Sequence, residues 1–387
     1  MKKEMDEELM REYRLRRVRR RQNQARLILV MMCTLVVLVL IMYCGTALYM
    51  KIRERGEENQ AVEALTGNVV YSQEELDFQI AQAEARAVSE AEAAAETKIA
   101  EAVRTAEEQA YTGLLDNIRT GLSDGQTILE TLRPLYPEEL IVASGGQYHF
   151  VPINRSLRQN QLLQENVNVL ESGEIQYMSG EEIISHKGID VSKHQGDINW
   201  TEVAQDGVEF AFIRVASRGY GTGKLVEDNY FDQNVQGAQA AGIKTGVYIY
   251  SQAITEEEVL EEANLVLQKI APYQLECPIV FDVERVSGAN GRMNNITLEE
   301  RTNLALLFCQ TIEAAGYKPM IYHNTEMGAL MIDIAALEKY DKWFASYSET
   351  LYYPYEYKVW QYTQKGKVAG VKTEVDLNIC VEPVWAE

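Results

Sequence analysis

The chain has 387 residues, with 58 Asp and Glu against 37 Lys and Arg, a formal net charge of −21, 46% hydrophobic residues and 25% charged residues. That balance excludes a wholly disordered chain and argues against general nucleic-acid binding, which needs a basic surface to displace counterions. Five cysteines without a Cys-x-x-Cys spacing and four dispersed histidines (His149, His186, His194 and His323) argue against a disulfide scaffold or a structural zinc site, and no cofactor or metal is expected.

Residues 1–26 hold ten Lys and Arg against five acids and read as a basic cytoplasmic tail. Residues 27–50 carry no charge. As a helix they would reach about 36 Å, enough to cross a bilayer. Only Lys51, Arg53 and Arg55 follow closely, so the charge bias predicts a single pass of the cell membrane, the N-terminus inside and everything after residue 50 outside. A cleaved signal peptide fits less well, because the apolar run is long and no compact small-residue site ends it. Residues 51–71 read as a linker. Ser72 with Glu75 has the spacing of a helix-opening capping box. The stretch from there to Thr120 has no Pro, and residues 81–110 contain twelve alanines among Glu, Gln and Arg, all strong helix formers. A helical stalk over 72–120 is expected. Leu76, Ile80, Ala83 and Ala87 follow a coiled-coil spacing up to Glu90, which suggests self-association, with a solvated single helix as the competing reading.

Residues 121–186 read as a small α+β module whose role is open: a spacer, a docking element or part of a substrate groove. Leu140–Ile153 has the pattern of two short strands around Gly145 and Gly146. Asn154–Glu171, with Leu157, Leu162, Leu163 and Leu170, reads as helix.

Residues 187–387 hold all four tryptophans and 14 of the 22 tyrosines. Strands are expected at 187–192, 210–217, 244–251, 277–284 and 318–324, with helices between them opened by Asn199/Glu202, Thr255/Glu258 and Thr297/Glu300. Three more strands follow closely, at 342–347, 357–363 and 373–380. Apolar strands alternating with helices predict an α/β, TIM-like barrel of eight strands: five β/α units, then three strands joined by little helix. In such barrels the active site lies at the C-terminal strand ends.

Those ends carry acids. Asp190 closes the first strand, Asp282 and Glu284 close the fourth, and Asp376 lies in the eighth. Residues i and i+2 of a strand share a face, so Asp282 and Glu284 look into one space. In a closed barrel the first and eighth strands are neighbours, which brings Asp190 beside Asp376. Clustered carboxylates raise one another's pKa, so one can keep the proton that a general acid needs; glycosidases use such pairs. Any single acid among 58 is more often a solvated charge, and a magnesium or calcium site is the chemical rival. Tyr248, Tyr250, Tyr322, Tyr347, Trp360 and Tyr362 lie near strand ends and suit sugar rings, although core packing is the more common role for each singly.

The segments DVSKHQGDINW (190–200), FIRVASRGYGTG (212–223), GVYIYSQAIT (246–255), PIVFDVE (278–284), AGYKPMIY (315–322), WFASY (343–347), WQYT (360–363) and VDLN (375–378) resemble glycoside hydrolase family 25, the muramidase-type lysozymes, over about 187–381. The resemblance implies a barrel with incomplete helices and hydrolysis of the β-1,4 bond between N-acetylmuramic acid and N-acetylglucosamine in peptidoglycan. It places the acid/base on Glu284, the paired carboxylate on Asp282 and two further groove aspartates on Asp190 and Asp376. It adds Arg214 and Gln361 to the tyrosines and Trp360 as substrate-binding residues. It favours participation of the substrate's acetamido group over direct attack by Asp282. Two positions depart from the family's pattern, Ile249 where a histidine is frequent and Val283 where a tryptophan is frequent; both bear on subsite detail. The expected partners are peptidoglycan strands, the membrane through residues 27–50 and a second stalk. The alternative function is a peptidoglycan-binding module or pseudoenzyme that scaffolds wall remodelling.

Overall fold

The computed structural model describes Thr46, residues 72–286 and residues 291–385. The basic tail 1–26, the apolar stretch 27–50 apart from Thr46, and the linker 51–71 lie outside them. Among the described residues no helix is long and apolar enough to cross a membrane. This overturns the single-pass placement with an outward-facing catalytic domain. The long helix that is described, α1 (Gln73–Ser123), is rich in alanine and glutamate and carries charged side chains along its whole length, which no lipid-facing helix does.

The chain divides into two compact units, Met1–Ala106 and Glu107–Glu387. Helix α1 opens where the capping box predicts: Ser72 N donates to the Glu75 carboxylate at 2.9 Å and Glu75 N donates to Ser72 Oγ at 3.4 Å. Its 51 residues span about 76 Å. Leu76, Ile80, Ala83 and Ala87, the expected coiled-coil seam, are all exposed in the single chain.

A second capping box, Thr127 with Glu130, starts the short helix α2 (Ile128–Leu132). Strands β1 (Glu139–Ser144) and β2 (Gln147–Pro152) form the expected hairpin, turned at Gly145 and Gly146 with φ of 58° and 77°, a left-handed pair that glycine adopts without a Cβ clash. The expected helix at 154–171 is absent. Asn154 Oδ1 accepts from Ser156 N, and Asn160 Oδ1 accepts from Leu162 N, local bonds that compete with a helix. The backbone there pairs with the barrel instead: Asn160 N donates to Pro354 O at 2.8 Å, and Glu356 N donates to Arg158 O at 3.0 Å. A small antiparallel sheet of β3 (Val167–Val169), β4 (Ile175–Ser179) and β5 (Glu182–Ile183) completes the module.

The barrel strands are β6 (His186–Val191), β7 (Val208–Arg218), β9 (Lys244–Ser251), β10 (Ile279–Val283), β11 (Pro319–Asn324), β12 (Asp341–Ala345), β13 (Val359–Gly366) and β14 (Val375–Cys380), closed by β6 on β7; a short β8 (Leu225–Glu227) hairpins onto β7. Helices α3 (Trp200–Gln205), α4 (Phe231–Ala240), α5 (Glu256–Ile270) and α6 (Leu298–Ala314) cover the outside between β6 and β11. The fifth β/α unit has only a π-helical turn, Met327–Met331. Beyond it Tyr353 and Tyr357, with Leu157, Ile175 and Tyr177 of the module, join the outer core that buries Trp360 and Tyr362.

Among the eight barrel strands, neighbours are parallel except for β14, which runs antiparallel to both β13 and β6. Residues 367–374 are too few for a crossover helix, so the chain can only return as a hairpin. Inside the barrel Phe210, Phe212, Val280, Met320, Trp343 and Val359 form the floor. Gly188 and Gly246 make room for it: a Cβ on Gly188 would lie 2.2 Å from the Phe210 ring, and one on Gly246 would lie 2.6 Å from Phe212.

Candidate active site

The four acids meet at one mouth. Asp190 ends β6, and its Cα partner across the ladder is Asp376. Because β14 is reversed, Asp376 stands near the start of its strand, yet at the same barrel end as the C-terminal ends of the parallel strands. Asp282 on β10 is level with Tyr250 and Tyr322, and Glu284 follows just past the strand. They line a cleft of about 350 Å3 together with Arg214, Tyr248, Tyr250, Tyr322, Tyr347 and Gln361.

Gln361 organises one wall. Its Oε1 accepts from Tyr322 Oη at 2.9 Å and from Tyr347 Oη at 3.0 Å, while its Nε2 donates to Asp190 Oδ2 at 2.8 Å. The same oxygen accepts from Asn378 Nδ2 at 2.9 Å, and Trp343 Nε1 donates to Asn378 Oδ1 at 2.8 Å. Arg214 is held from the other side by Asp228, whose Oδ2 lies 2.9 Å from Nε and 2.8 Å from Nη2. On Asp282 one oxygen stands alone: Oδ1 is buried without a hydrogen-bond partner among the described residues.

Burial dominates the electrostatics. It pushes Asp190 up to about 6 against the pull of the Asn378 and Gln361 amides. Glu284 rises to about 7 through burial and the charge of Asp190, opposed by its hydrogen bond with Asp282. Asp376 rises to about 8 through burial, then Asp190 and Glu284. Asp282 is pushed well up by burial and by Glu284 and Asp190, with Arg214 opposing. Burial also raises the Tyr248, Tyr250, Tyr322 and Tyr347 phenols, which stay neutral donors. The cluster therefore holds protons in the neutral range and offers both an acid and an acceptor to a ligand. Among the described residues no group of His, Cys, Asp or Glu is arranged to hold a metal ion.

Two expected sugar-binding residues are not in the cleft. Trp360 and Tyr362 flank Gln361 on β13, so side-chain alternation turns them to the outer face. Trp360 is buried and Nε1 donates to Ser346 O at 2.8 Å; Tyr362 is buried in the same outer cluster. Conversely, Trp343, Asn378 and Asp228 belong to the site or brace it and were not expected there. Asn378 was readable, since it lies two residues after Asp376 on the same strand. Asp228 sits in a loop after β8, where no pattern marks it.

An acid cluster at the C-terminal mouth of an eight-stranded barrel is the arrangement glycoside hydrolases use. Residues 189–371 match the family described as glycosyl hydrolases family 25. The chain is 29% identical over 206 residues to "Uncharacterized protein YegX" of Escherichia coli K12, covering 50% of this chain and 68% of that protein. It is 24% identical over 193 residues to an "Autolytic lysozyme" of Clostridium acetobutylicum, covering 50% of this chain and 55% of that protein. A solved family 25 glycosyl hydrolase from Bacillus anthracis is 28% identical, with a TM-score of 0.44 over 54% of this chain and 92% of that one.

Proposed function

We propose that the barrel is a muramidase, hydrolysing the β-1,4 bond between N-acetylmuramic acid and N-acetylglucosamine in peptidoglycan. The observation that carries this reading is the pairing of Glu284, which keeps its proton near neutral pH, with Asp282, whose buried Oδ1 is unoccupied by any described donor. The family match and the relatives named as lysozymes support the substrate class.

Glu284 donates its proton to the bridging oxygen as the glycosidic bond breaks. Asp282 accepts a hydrogen bond from the N–H of the acetamido group beside the reacting carbon, so that the acetamido oxygen attacks that carbon and takes up its developing positive charge. Water then opens the cyclic intermediate, losing its proton to Glu284, and configuration is retained. Direct attack by the Asp282 carboxylate would give the same stereochemistry through a covalent sugar–Asp282 ester. Asp190, fixed by two amides, adds negative potential beside the cationic transition state.

The test is digestion of purified peptidoglycan with the full chain, followed by mass spectrometry of the reducing ends. Muramic-acid reducing ends are expected. Glucosamine ends would make the enzyme a glucosaminidase, and absence of any release would return the chain to a wall-binding role.

A further inference from the structure

The family match begins at residue 189, so it leaves the module at 121–186 without a role. Yet this module walls a second compartment, of about 470 Å3, that adjoins the catalytic cleft. The two spaces share Glu284, Tyr322, Tyr347 and Gln364, whereas Asp190, Asp282 and Asp376 line only the catalytic one. A general acid must stand at the bridging oxygen, between the two sugars of the bond it breaks. The sugar that is attacked lies on the Asp282 side. The compartment on the other side of Glu284 is then where the leaving portion of the glycan goes.

The module's charged contribution there is Arg133, beside Leu129 and Ile141–Ala143. Its guanidinium carbon lies over the Tyr352 ring, 3.3 Å from the centroid, and Tyr352 Oη is itself held by Thr325 Oγ1 at 2.6 Å and Ser346 Oγ at 3.1 Å. Glu130 acts on Arg133 only through its charge, with no ion-pair contact among the described residues, and the buried Arg133 Nε has no hydrogen-bond partner. A guanidinium held on an aromatic face, beside open space and with a buried Nε left without an acceptor, suits a carboxylate or carbonyl oxygen. The wall is fastened at its rim: Arg285 Nη1 donates to Glu326 Oε1 at 2.6 Å and to Ser144 Oγ at 3.2 Å, and Ser144 Oγ donates to Glu326. Arg285 directly follows Glu284, so the fastening ties module and acid together.

We propose that the 121–186 module completes the substrate cleft on the leaving-group side, with Arg133 as a specificity residue that binds carboxylate or carbonyl oxygens of the glycan's substituents. This rests on the muramidase reading. Two substituents carry that chemistry, the peptide stem and the acetamido group. The experiment is calorimetric binding of peptidoglycan tetrasaccharides, with and without peptide stems, to the full chain carrying Glu284→Gln, compared with the same chain also carrying Arg133→Gln or Arg133→Lys. Arg133→Gln is expected to weaken the stem-bearing ligand about tenfold and the stem-free one less than twofold, with Arg133→Lys in between. Equal weakening of both ligands assigns the contact to the acetamido group and supports the compartment. Unchanged binding of both overturns it. The wild-type digest separates the two ideas: normal cutting with Arg133-independent binding sinks the compartment alone, whereas Arg133-dependent binding without any cutting sinks the hydrolase alone.

Discussion

Glu284 is an acid because of where β10 stops. One residue past the strand, it keeps the inward direction of Asp282 but is buried among like charges, and its pKa rises to about 7. Glu284→Gln keeps size and hydrogen-bonding shape but removes the transferable proton. Turnover of peptidoglycan is expected to fall roughly 100- to 10,000-fold with glycan binding retained; near-normal digestion would show the assignment to be wrong. Because the acid must be protonated, kcat/KM should drop as pH rises through about 7. A rate still climbing at pH 9 would mean another group donates the proton. Asp282→Asn should also lose most activity, and substrates lacking the acetamido group should go uncut. A covalent sugar–Asp282 adduct trapped with a fluorosugar would instead establish direct attack.

The strands decide which side chains reach the substrate. In β13, Gln361 points in and contacts Asp190, while Trp360 and Tyr362 point out. Trp360→Phe should therefore destabilise the fold, since it leaves Ser346 O without its indole donor, by about 1–3 kcal/mol, and leave KM unchanged. A large rise in KM with normal stability would put Trp360 back in the cleft. The floor beneath the acids depends on close approach: Phe212 stacks on Trp343 at 4.7 Å, and Gly246 lies against both Phe212 and the Pro278 carbonyl. Gly246→Ala would force its Cβ to 2.7 Å from that backbone oxygen, which cannot swing away. A loss of about 1–3 kcal/mol in denaturant unfolding is expected, and no loss would show that the strand can shift.

For the whole molecule, the acid cluster has a cost. Folded Glu284 holds its proton up to about pH 7 and Asp376 up to about pH 8, whereas unfolded carboxyls release theirs near pH 4. Between those limits the folded state binds more protons, so stability is greatest below about pH 4 as far as these groups are concerned and is lost as pH rises through 7–8. Calorimetry should show Glu284→Gln melting higher than wild type at pH 8, with the gap closing toward pH 4.5. A gap that does not change with pH would mean the destabilisation is not electrostatic.

Local pattern was enough for the hairpin at Gly145 and Gly146, the capped helices at Ser72, Thr255 and Thr297, the eight barrel strands and the four acids, because turn chemistry, capping and apolar runs are written in neighbouring residues. It failed at Asn154–Glu171, where leucine spacing suggested a helix and long-range pairing with 354–356 prevailed. The reversal of β14, the outward turn of Trp360, the bracing of Arg214 by Asp228 and the placing of Arg133 in one compartment with Glu284 were settled only in three dimensions. Each joins residues far apart in the chain, and barrel closure, not local preference, determines which of them meet.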